Sequence, residues 1–208
     1  MMGKKTFVIA VVLGLCLGGC AKTLRVDSVG YEVRAPSGVF FPPASHEEAH
    51  LEKSPIGPVD LAETRFGGGR ELYYVLGLRS PVFRKTEEVL RAAHAGLVPE
   101  LEKGIGIVGA KQRIDRPDAL GEELVVIGTK GEHKGRVVRL RFYVAAGGLF
   151  ALAAGADQKD AQTTWLTQRW NEFFDGFKVT PSASTAPAEG GPNDPSAIAS
   201  VLVSRWRL

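Results

Sequence analysis

Arg136-Val-Val-Arg-Leu-Arg-Phe-Tyr-Val144 is the stretch on which the fold turns. Val138, Leu140, Phe142 and Val144 fall on one face of an extended chain, and Arg139 and Arg141 on the other, because successive side chains of a strand point to opposite sides. Period-two alternation predicts a β-strand with one wall on a core and the other on solvent. The arginine wall also has a functional reading, as a stripe that binds an anion or a carboxylate. Arg139 and Arg141 are therefore the candidate ligand or partner contacts, with Arg136, Lys134 and His133 nearby.

Downstream, Gly147-Gly148 turns into a small-residue strand, Leu149 to Ala154. Asp157 or Asp160 caps a closing helix from Ala161 to Phe174, with Trp165, Leu166, Trp170, Phe173 and Phe174 as its aromatic face. Gly176 ends that helix and Phe177–Val179 adds a last strand. Upstream, the turn Lys130–Gly135 leads back to a strand at Glu123–Thr129, and another precedes it at Ile107–Ile114. Thr86 caps a helix to Lys103 in which Val89, Leu90, Ala93, Leu97 and Leu101 recur at helical spacing. Gly96 and Pro99 predict a kink or an early end in it. Val59–Phe66, the turn Gly67–Gly69 and Glu71–Leu78 read as a hairpin. Arg25–Arg34 reads as a first strand, and residues 36–57, rich in proline, as an irregular connection. The order predicts an α+β fold, a mainly antiparallel sheet with two principal helices packed on it, in a single domain over residues 24–179. Residues 180–208 read as a disordered Pro/Ala/Ser-rich linker followed by an apolar C-terminal segment, Ile198–Leu208, that could dock on the domain or on a partner.

At the other end, Lys4-Lys5 precede an apolar run, Phe7 to Leu17, that closes on Gly18-Gly19-Cys20. A basic segment, a short apolar run and a small-residue cleavage site have the layout of a secretory signal, and the run is short of the ~20 residues a membrane-spanning helix needs. With cysteine at the cut, the segment resembles the lipobox of bacterial lipoproteins. That resemblance implies a signal peptide over residues 1–19, a diacylglycerol on Cys20, a lipidated tether over 20–23, and attachment to a membrane of the cell envelope. Ala21, which is not acidic, implies an outer-membrane address facing the periplasm.

Cleavage also settles the charge. The chain carries 26 Lys+Arg and 23 Asp+Glu, so loss of Lys4 and Lys5 leaves 24 against 23, near neutrality. Nucleic acid is not an expected partner. On the lipobox resemblance Cys16 is expected to leave with the signal and Cys20 to be acylated, which implies no thiol for redox or thiolate–metal chemistry.

His46-Glu-Glu-Ala-His50 spells H-E-x-x-H. On a helix this places two imidazoles on one face for Zn²⁺ and a glutamate to activate its water. Pro42-Pro43 and Ser54-Pro55 bracket it, and no third ligand follows, so the expectation is a solvated loop or one helical turn and no metal site. Gly104-Ile-Gly-Ile-Val-Gly109 has the letters of a dinucleotide fingerprint in the wrong order, with a helix before it and a strand after it. His94 has no evident partner, and no convincing carboxylate pair or serine elbow is present. No cofactor is expected.

Three segments together carry a second resemblance: Tyr31-Glu-Val-Arg-Ala-Pro36, then the basic-alternating strand Arg139–Val144 after a helix, then Asn171-Glu-Phe-Phe-Asp-Gly-Phe-Lys-Val179. Their order is similar to the PsbP-like α/β/α sandwich, named from a photosystem II subunit and present in many small bacterial lipoproteins. The resemblance implies a non-enzymatic binding or assembly module with an envelope protein as partner. The competing expectation is a zinc-dependent hydrolase or metal-binding protein built on His46, Glu47 and His50.

Overall fold

A computed structural model describes residues 23–39, 42–68 and 70–180. The signal segment, Cys20 and residues 181–208 lie outside the described residues. In chain order the elements are β1 (Thr23–Val26), β2 (Tyr31–Arg34), β3 (Ser45–Leu51), β4 (Val59–Gly68), β5 (Glu71–Arg79), α1 (Glu87–Gly104), β6 (Gly106–Asp115), β7 (Leu120–Gly128), β8 (Arg136–Ala145), β9 (Gly148–Asp157), α2 (Gln158–Ala161), α3 (Thr164–Asp175) and β10 (Phe177–Val179).

Seven strands form one antiparallel sheet in the order β3-β4-β5-β9-β8-β7-β6. Its central strands are apolar on both faces: β9 is buried from Gly148 to Ala156, and β5 from Tyr73 to Leu78. Such runs need cover on both sides. On one face Leu90, Ala93, Leu97 and Leu101 of α1 pack against Leu76, Leu124, Leu140 and Phe142. On the other, α3 and a three-stranded sheet, β1-β2-β10, close over Tyr73, Val75, Tyr143, Phe150 and Leu152.

An aromatic knot ties the small sheet to the large one. Phe177 lies 5.9 Å from Tyr31, 5.6 Å from Tyr143 and 5.5 Å from Phe150, ring centre to ring centre. Aromatic pairs contribute roughly 0.5–1.5 kcal/mol each beyond the area they bury. Tyr31 approaches the sheet at Gly77, where an added Cβ would lie 2.9 Å from the ring.

Four sequence expectations are corrected. The first strand is two, β1 and β2, folded back at Gly30, whose φ of 78° is a glycine conformation and whose N–H donates to Val26 O at 3.0 Å. The connection before Val59 contains β3, an edge strand paired to β4 from Ser45↔Arg65 to Leu51↔Val59. Helix α1 runs through Pro99 to Gly104. Proline deprives the Ala95 carbonyl of its helical donor, but Ala95 and Pro99 are exposed, and water can serve it. The closing helix is α2 and α3, and Trp165 lies outside its buried face, 49% exposed.

Gly77→Ala is expected to destabilise the fold by about 1–3 kcal/mol, the range for overpacking a tight core. Thermal or urea unfolding checks it, and an unchanged midpoint would mean that Tyr31 is not closely seated there.

Candidate functional site

Arg139 and Arg141 do not face solvent. Their wall of β8 lies under α3, and their side chains are 17% and 16% exposed. What brings them there is Glu123, in register with Arg141 on β7. Glu123 Oε1 accepts from Arg139 Nε at 3.1 Å and Nη2 at 2.9 Å, and Oε2 accepts from Arg141 Nε at 2.6 Å. Both guanidinium groups lie over the Phe174 ring, at 5.4 and 4.6 Å from its centre. Burial alone would push the Glu123 carboxyl up, but the hydrogen bonds and charges of the two arginines outweigh it and hold it below the usual carboxylate range. The carboxylate bound by the arginine stripe is thus the protein's own.

The arginines still reach outward. Arg139 Nη1 donates to Asn171 Oδ1 at 3.0 Å, and Arg141 Nη1 to Asp175 Oδ1 at 3.5 Å. A guanidinium only donates, so the Asn171 oxygen must face Arg139, leaving the amide N–H groups for other partners. Asn171 and Asp175 line a groove of about 780 Å³ along the outer side of α3. Thr164, Thr167 and Gln168 continue the lining, and Arg34 and Glu172 belong to it as well. Glu172 Oε2 accepts from Ser37 N at 3.3 Å and so joins the helix to the segment after β2. This groove is the candidate site. Arg139 and Arg141 are positioning residues for it, part-buried directly beneath Asn171 and Asp175.

The other face of the sheet holds a second buried carboxylate. Glu122 bonds His94 Nδ1 and Lys111 Nζ, each at 2.8 Å. His94 therefore has the partner that its own sequence surroundings did not suggest. The signal for both glutamates was their pairing inside an otherwise apolar run, Leu120-Gly-Glu-Glu-Leu-Val-Val-Ile-Gly128.

His46-Glu-Glu-Ala-His50 is neither loop nor helical turn but the body of β3. Residues four apart on a strand are about 13 Å from each other, whereas two nitrogens on one Zn²⁺ must each lie ~2.1 Å from it. Glu47 moreover points to the opposite face from both histidines. His46 Nδ1 instead bonds Thr64 Oγ1 at 2.8 Å, its Nε2 bonds Glu48 Oε1 at 3.0 Å, and Thr64 Oγ1 meets Tyr31 Oη at 2.8 Å. A carboxylate–imidazole–hydroxyl chain has the form of a catalytic relay, but Thr64 and Tyr31 are fully buried. Burial pushes the Tyr31 phenol up, so it stays protonated as a hydrogen-bond partner. The chain fastens the edge strand to the small sheet. His50 turns outward to Asp60, 2.7 Å away. Among the described residues no group of three or more His, Cys, Asp and Glu is placed to hold a metal ion.

No family model matches the sequence, and no curated protein does. Among solved structures, the chain is similar to cyanobacterial PsbP (CyanoP) from Synechocystis sp. PCC 6803, with a TM-score of 0.50 over 80% of this chain and 98% of that one. The fold is PsbP-like. Sequence identity is 14%, so the likeness shows the fold alone.

Among the described residues, Glu123→Gln leaves the part-buried Arg139 without a counter-ion and Arg141 with only the exposed Asp175 at 3.5 Å, and is expected to cost up to about 3–5 kcal/mol at pH 7. Because the folded-state carboxyl sits below its unfolded value, its stabilisation is complete above the unfolded pKa of ~4.3 and fades as pH falls through the folded value. The gap in unfolding free energy between wild type and Glu123→Gln should therefore narrow below about pH 4. A gap independent of pH would remove the ion pair as its cause.

Proposed function

We propose that this protein is a non-catalytic binding module, held at the envelope membrane by acylated Cys20 and presenting the groove along α3 to another component of the envelope. The observation that carries it is the groove's construction. Asn171 is held from beneath by Arg139 at 3.0 Å and Asp175 more loosely by Arg141 at 3.5 Å, on a helix whose other side is locked into the core by Leu166, Trp170, Phe173 and Phe174. Donors and acceptors held in place on a rigid element suit recognition of a ligand. The PsbP-like fold supports the same reading. The basic run, the short apolar run and Gly18-Gly19-Cys20 support the lipid anchor, and Ala21 supports an outer-membrane address facing the periplasm.

Cys20→Ala is expected to move the protein from the membrane pellet to the soluble fraction, read by fractionation and immunoblot; retention in the pellet would remove the lipid anchor. For the groove, a photo-crosslinking amino acid at Thr167, exposed on α3, is expected to give a discrete adduct in intact cells. The same group at Gln112, exposed on β6, is the control. Equal labelling from both positions, or from neither, would remove the groove as the contact surface.

A further inference from the structure

We propose that the groove takes a neutral saccharide chain, with one sugar ring stacked on Trp165; this rests on the groove being a binding surface and names the class of ligand. Two independent features point the same way.

The first is the lining. Thr164, Thr167, Gln168 and Asn171 are uncharged hydroxyl and amide side chains. Each such group both donates and accepts, as a sugar hydroxyl does. The charged lining residues are Arg34 against Glu172 and Asp175, so the groove carries no excess of positive charge to draw in phosphates, nucleic acid or anionic headgroups. A volume of about 780 Å³ lies within the ~300–1,000 Å³ of small-ligand sites.

The second is Trp165 itself. It is not itself a lining residue of the groove, but Gln168, which is, follows it by three residues, so the two are neighbours on the helix surface. It is 49% exposed, one of two large apolar side chains so exposed among the described residues. It is nonetheless held in place. Arg169 lies over its ring at 5.4 Å, Arg169 Nη1 pairs with Glu71 Oε1 at 3.1 Å, and Glu71 Oε2 accepts from Tyr73 Oη at 2.6 Å. Arg169 and Glu71 are largely buried, at 21% and 16% exposure. An indole braced by a polar chain that runs into the core is a ready platform. One ring face is taken by a cation, which leaves the exposed part for the C–H face of a sugar. A peptide partner would look for an unpaired strand edge or a cluster of apolar pockets, and α3 offers neither.

The test uses the full chain in micelles of a zwitterionic, sugar-free detergent, titrated calorimetrically with cellotetraose and with chitotetraose. The expected result is saturable binding of at least one of the two. Trp165→Ala should weaken it about tenfold or more and Asn171→Ala several-fold, in line with the loss of one stacking or hydrogen-bonding contact. Trp165→Phe should fall between wild type and Trp165→Ala. Trp165→Ala also removes the contact with Arg169, so its thermal midpoint is measured alongside: a variant still fully folded at the titration temperature separates lost binding from lost folding. No saturable binding of either tetrasaccharide, or binding indifferent to Trp165→Ala, overturns the proposal. A Thr167 adduct to a protein together with no sugar binding overturns the saccharide and leaves the binding module standing; an absence of both overturns the two together.

Discussion

Covering both faces of an antiparallel sheet is the constraint from which the rest of this structure follows. Such sheets commonly leave one face wet. Here α1 closes one side, while α3 and the small sheet close the other, so any charge carried by an inner strand must find its opposite inside the fold. β8 carries Arg139 and Arg141, and β7 supplies Glu123 in register beside them. On the far face β7 supplies Glu122, answered by His94 from the helix and Lys111 from β6. Isolated, any of these buried charges would oppose folding. Paired, they specify which strand lies beside which and which helix covers which face.

The same pairing links the core to the surface. One helix, α3, buries Phe173 and Phe174, lets two guanidinium groups lie over Phe174, and accepts their remaining donors at Asn171 and Asp175. Groove and core thus share side chains. The Glu48–His46–Thr64–Tyr31 chain shows the opposite use of polar groups. It starts at a sheet edge and ends at the fully buried Thr64 and Tyr31, and so holds β3 down on the fold.

Much of the architecture was legible in the sequence. The apolar spacing from Val89 to Leu101 locates α1, and Thr86 caps it as its side chain implies, accepting from Val89 N at 3.3 Å. The hairpin of β4 and β5 and the strands on either side of Lys130–Gly135 follow from turn residues between alternating runs, although β4 runs on through Gly67 and Gly68. What was not legible depends on contacts distant along the chain. Arginines at alternate positions imitate a wet face, and only Glu123 and Phe174, 16 and 35 residues from Arg139, reveal a covered one. β3 was hidden because an edge strand needs no apolar alternation, and His46-Glu-Glu-Ala-His50 has none. The groove was beyond reach altogether, since it joins α3 to residues around Arg34, which are far away in sequence.

The small sheet also bears on how the proposed lipid anchor would orient the domain. In β1–β2 pairing Thr23 sits opposite Arg34, at the groove, whereas Val179 of β10 sits opposite Tyr31, at the other end of β2. Thr23 follows Cys20 by three residues, a leash no longer than about 11 Å when fully stretched. Under the proposed acylation of Cys20, that leash would keep the Arg34 end of the groove near the headgroups, with Val179 at the far end of the small sheet. A partner reaching this groove would meet it by lateral search in the plane of the membrane, at a local concentration set by the surface and not by the surrounding fluid.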